Sequence, residues 1–163
     1  MIATKTNPIV KFAVLDTVLV TLACLVPAAS HLFAVPLYVA NPMLALLLAG
    51  LLIGRDWRNA LVLAVLMPLV SWGLTGMPTA GKMVCMMAEL ATVATVFGAL
   101  SRRWKALPAV LVAVLAAKGV YYALKAVVLA PAVLVGTEWW MQLGAVALWS
   151  GLFAMLYKRS ERE

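Results

Sequence analysis

Four side chains with usable chemistry fall on one side of a greasy stretch. Lys82, Cys85, Met86 and Glu89 follow one another at offsets of three, four and seven, the spacing that lines one face of an α-helix. Thiol and thioether sulfur are soft donors that suit thiophilic metals. Methionine is more often flexible filler, and buried cysteine a small hydrophobe. Packing is the expected role of Met83, Met86 and Met87; for Cys85 packing and ligation stand side by side.

The elements that must position these groups are long apolar runs. The chain is 66% hydrophobic and 12% charged over 163 residues, too apolar for a soluble core of this size, which makes the lipid bilayer the natural solvent. The runs are continuous rather than alternating, so helices are expected and a barrel is not. Six segments can be read, at about 9–29, 42–53, 59–74, 82–100, 106–129 and 140–157. Together they predict an all-α integral membrane protein, a single transmembrane domain over 1–163. The second and third are short for a span, which needs ~20 residues. Asn41-Pro42, Gly54-Arg55-Asp56, Gly76-Met77-Pro78 and Pro108 supply breaks and starts. Pro27 and Pro68 lie inside segments and are expected to kink or shorten them. No cleavable signal peptide is expected, since the N-terminus leads straight into a long apolar run with no small-residue cleavage site preceding a soluble domain.

Charge orients the bundle. Ten of the thirteen Lys and Arg residues flank the first segment's start, the second and fourth connections, and the last segment's end. By the positive-inside rule both termini are cytoplasmic, in the cytoplasmic (inner) membrane. The net charge of +7 therefore marks inner loops rather than nucleic-acid binding, since no basic face is built. Trp139, Trp140 and Tyr38 would lie near the outer interface, and Trp57, Trp104 and Tyr157 near the inner one.

Depth brings two charges together. Lys118 is twelve residues into the fifth segment, roughly 18 Å from the inside at ~1.5 Å per residue. Glu89 lies seven residues below the outer end of the fourth, roughly 10 Å in. In a ~30 Å core the two depths nearly coincide, so a Glu89–Lys118 pair is expected, with a structural or a ligand-binding role. Lys125 is two turns further out, able to snorkel or to capture a carboxylate or phosphate. Asp16 either pairs with Lys11 or reports on docking. Cys24 and Cys85 show no metal-type spacing, and a disulfide between them is one option, subject to geometry.

Order and motif then suggest a family. The run PAASHLFAVPLYVANPMLALLLAGLLIGRDWRNALVLAVLMPLVSWGLTGMP, followed by KMVCMMAEL, resembles the substrate-binding S components of energy-coupling-factor (ECF) transporters. The resemblance is carried by a proline-containing loop after the first helix, Asn41-Pro42-Met43 opening the second, and GLLIG-R at the next turn. Arg58-Asn59-Ala60 opening the third and Gly-x-Pro before the fourth complete it, over about Asp16 to Ala126. It implies six helices and capture of a vitamin or cofactor at the outer half. It also implies docking on a membrane coupling subunit driven by two ATPases. The chain has no GxxxxGK[ST] loop of its own.

Within that resemblance Ala13, Thr17 and Thr21, continued by Cys24 and Ala28, are the nearest match to a docking ridge of small residues. Intramolecular packing explains such ridges equally well, and Ala45/Ala49, Ala60/Ala64 and Ala109/Ala113/Ala117 share the spacing. The expected binding set is Lys82, Cys85, Glu89, Lys118 and Lys125, with His31 in the first outer loop and Trp72 and Trp139 as flat walls. The resemblance favours a corrinoid such as cobalamin, with Cys85 or His31 at its axial position, and haem second. Two other classes compete: a structural scaffold of the MreD-like cell-shape type, and an intramembrane enzyme. One histidine, no HExxH and no GxSxG argue against an enzyme.

Overall fold

The computed structural model of the protein describes residues 8–33, 41–128 and 139–160. They form six helices, α1 (Pro8–Phe33), α2 (Pro42–Gly54), α3 (Trp57–Thr75), α4 (Ala80–Leu100), α5 (Ala106–Val128) and α6 (Trp139–Ser160). Among the described residues there is no strand. Four helices, α1, α3, α4 and α5, are long and apolar enough to cross a membrane, and α2 is a shorter apolar helix.

Neither internal proline ends its helix. α1 continues through Pro27 and α3 through Pro68, so the expected shortening is corrected. In an apolar medium, ending a helix strands several backbone groups, whereas a proline forfeits one hydrogen bond. A second correction follows: His31 lies in the last turn of α1, not in a loop.

The helix ends are set by local chemistry. Asp56 caps α3 by accepting the Arg58 backbone N–H at 2.8 Å. Gly76 closes α3 with φ 68°, a left-handed conformation that suits glycine. At the end of α2 the left-handed residue is Arg55 (φ 54°), not the adjacent Gly54. Gly54 is used for approach: a Cβ there would meet the Phe12 ring at 3.2 Å.

α1 packs on α2 and α3, α3 on α4, α4 on α5, α5 on α6, and α6 returns to α2. α2 also touches α3 and α4, so it sits inside the ring, with Leu44, Leu47, Leu48 and Leu51 buried. Much of the interior is built from small side chains: Ala60, Ala64, Ala94, Ala109, Ala113 and Ala117 are buried, letting backbones approach where water gives no hydrophobic drive. Gly98 of α4 is the tightest case, since a Cβ there would lie 2.7 Å from Trp57 Cγ. Large apolar residues such as Val14, Val18, Leu148 and Met155 face outward, the inverse of a soluble surface.

Candidate functional site

The stripe on α4 leads from a half-buried Lys82 to two residues with almost no exposed surface. Cys85 is 0% exposed and Glu89 4%. An isolated carboxylate at that depth would be costly, and it is not isolated. Lys118 Nζ of α5 lies 2.7 Å from Glu89 Oε1, so the pair expected from depth is formed. Asn41 Nδ2, at the entrance to α2, donates to the same Oε1 at 3.1 Å.

Asn41 reaches it because its backbone is left-handed, with φ 49° and ψ 59°. Asparagine tolerates that region better than most side-chain-bearing residues, and Pro42 then starts the helix in its favoured first position. The spacing between Asn41 and Glu89 is 48 residues, so only the fold brings them together.

α5 carries further polar groups toward its C-terminal end. The Lys118 ammonium lies 5.4 Å from the centroid of the Tyr121 ring, within cation–π range. Tyr121 meets Tyr122 edge-on, and Tyr122 Oη donates to Gln142 Oε1 of α6 at 2.7 Å. Lys125 is half-buried, two turns beyond Lys118 on α5. The structure brings Lys118 to Glu89, one turn from Cys85 on α4, and adds Asn41, Tyr121, Tyr122 and Gln142.

The other candidates stand apart. Trp72 is 40% exposed on α3, and no described contact joins it to Glu89 or Lys118. Trp139 opens α6; its side chain, like those of His31 and Ala28, lies outside the described residues, as does Tyr38. Among the described residues no group of three or more His, Cys, Asp or Glu is placed to hold a metal ion. Cys24 and Cys85 are free thiols, and their helices α1 and α4 share no packing among the described residues.

Asp16 accepts a hydrogen bond from Asn59 Nδ2 at 2.7 Å, tying α1 to the start of α3; this contact, rather than one to Lys11, is the partner described for the first of its two expected readings. The small-residue ridges separate by exposure. Ala60/Ala64 and Ala109/Ala113/Ala117 are buried and Ala45/Ala49 half-buried, whereas Ala13, Thr17 and Thr21 are exposed. The two threonine hydroxyls fold back onto the carbonyls of Ala13 and Thr17 at 2.7 Å, leaving that ridge smooth and without free donors.

Asn41 carried a readable signal, an amide beside a helix-starting proline, but its partner did not. Tyr122 and Gln142 were readable only as polar exceptions on apolar helices. No family model matches the chain, and no curated protein or solved structure matches it.

Proposed function

We propose that this protein is a membrane-embedded solute-binding subunit, similar to the S components of ECF importers, which captures a vitamin or cofactor and carries it across the cytoplasmic membrane. All six helices cross in this reading, with both termini cytoplasmic. α2 is 13 residues long, roughly 20 Å, but being enclosed by other helices it need not match the bilayer's thickness.

The observation that carries the reading is the Glu89–Lys118–Asn41 cluster inside an apolar bundle. Ionisable groups at such depth are rare and costly, and they commonly mark substrate or ion pathways. The exposed ridge Ala13–Thr17–Thr21 supports docking on a coupling subunit, since it is smooth and turned away from the bundle. A corrinoid such as cobalamin is the leading solute, with haem second. Reaching Cys85 requires the helices packed around it to part, because the thiol has no exposed surface.

Detergent-purified protein titrated with aquocobalamin tests this directly. Binding with a change in the visible spectrum that Cys85→Ser abolishes is the expected result. Equal binding by Cys85→Ser with no spectral change rejects the corrinoid. A screen of vitamins and cofactors with no retained ligand would reject the capture reading.

One observation favours a scaffold instead: Glu89, Lys118 and Asn41 satisfy one another without any ligand. A scaffold would retain full cellular function in a Glu89→Gln/Lys118→Met double variant that folds, whereas a capture subunit would lose uptake.

A further inference from the structure

The basic end of the bundle contains a groove of about 990 Å³ between the α4–α5 connection and the last turns of α6. Its rim carries Arg102, Arg103, Lys105 and Lys158, and its described lining includes no carboxylate. Its floor is apolar, from Leu107 and Pro108 at the start of α5 and Gly151, Ala154 and Met155 on α6. Gly151, Ala154, Met155 and Lys158 follow at offsets of three, four and seven, so α6 presents one stripe that is apolar first and cationic at its end. Leu107 and Met155 are exposed, and a Cβ added at Gly151 would meet nothing within 4 Å. The space is therefore open as well as wide. Ser101 and Tyr157 also line a second, smaller cavity beside Arg55 and Trp57.

A cationic rim over an apolar trough matches an amphiphile with an anionic head. Free phosphate would use the rim and leave the trough empty. A neutral lipid would use the trough and leave four cations unmatched. We infer that this groove is a specific site for one anionic phospholipid, its phosphate held by the arginines and Lys158 and one acyl chain lying along Gly151 and Met155. Basic pockets between helices at the membrane surface bind acidic headgroups on this principle. The site is remote from Glu89 and does not rest on the solute reading.

The full chain, stripped of lipid in mild detergent, is offered phosphatidylglycerol, phosphatidylcholine or inorganic phosphate. Native mass spectrometry counts retained lipid and thermal melting reads protection. Phosphatidylglycerol should be retained at one per chain and raise the melting temperature, while the other two should not. Arg102→Gln/Arg103→Gln should weaken retention about tenfold or more. Gly151→Phe leaves every cation in place, points into open space and should also abolish retention. Equal retention of phosphatidylcholine overturns the proposal, as does wild-type retention by both variants. Protection by inorganic phosphate that Gly151→Phe leaves unchanged overturns it in favour of a simple anion site.

Discussion

Asn41 and Glu89, 48 residues apart, are joined by a 3.1 Å hydrogen bond at an oxygen that also receives Lys118. The bond links α2 to α4, and the ion pair links α4 to α5. Among the described residues α2 and α5 do not pack on each other, so the Glu89 carboxylate is the bridge between them. Whatever moves one of these helices must break or carry that junction.

Removing one charge should hurt more than removing both. Glu89→Gln or Lys118→Met alone leaves a buried group without its partner, a loss of about 3 kcal/mol or more in buried pairs. The double variant Glu89→Gln/Lys118→Met should recover part of it. Thermal melting of the four proteins in detergent gives the coupling; strictly additive losses would contradict a functional pair.

At position 41 the backbone and the side chain can be separated. Asn41→Gly keeps the left-handed backbone and loses only the hydrogen bond. Asn41→Ala loses both, and the conformational part adds about 1 kcal/mol or more. Melting should therefore rank wild type above Asn41→Gly above Asn41→Ala. An Asn41→Ala no worse than Asn41→Gly would show that the left-handed backbone costs nothing there.

Gly98→Ala should destabilise by about 1–3 kcal/mol, the range for overpacking a close-packed contact, because the new methyl meets Trp57 at 2.7 Å. The cost should shrink on a Trp57→Ala background. Chemical or thermal unfolding of the two pairs checks this, and an unchanged cost would place the strain elsewhere.

Asp16 and Asn59 should behave as a unit. Asp16→Ala and Asn59→Ala should each lower stability by about 1 kcal/mol, as for other hydrogen bonds of this type, and their losses should not add. Lys11→Ala should leave stability and the Asp16–Asn59 coupling unchanged.

The two thiols should differ in reactivity. Cys24 is half-buried and Cys85 fully buried, so a maleimide should label Cys24 first and Cys24→Ser should remain nearly unlabelled until the protein is denatured. Mass spectrometry after timed labelling reads this. Rapid labelling of Cys85 in the native protein would mean that the packing around α4 opens readily without ligand.

The helices were legible because a bilayer imposes simple rules: apolar runs of sufficient length, with charge and proline at the breaks. The Glu89–Lys118 pair was legible for the same reason, since helical rise converts sequence position into depth. His31 was misplaced because the first segment was read as ending near Ala29, where the apolar run gives way to Ser30 and His31, whereas α1 continues through these polar residues to Phe33. The basic end was read only as orientation, because a list of charges does not reveal the trough between them.

The sequence alone was enough to read apolar helices suited to a bilayer and two opposite charges at one depth. Depth is one coordinate, and it follows from local geometry. The rotation of each helix about its axis and the choice of neighbours depend on packing among all six. Only the tertiary structure decided that Asn41 completes the junction at Glu89, that Cys85 is sealed in, and that Ala13, Thr17 and Thr21 face away from the bundle.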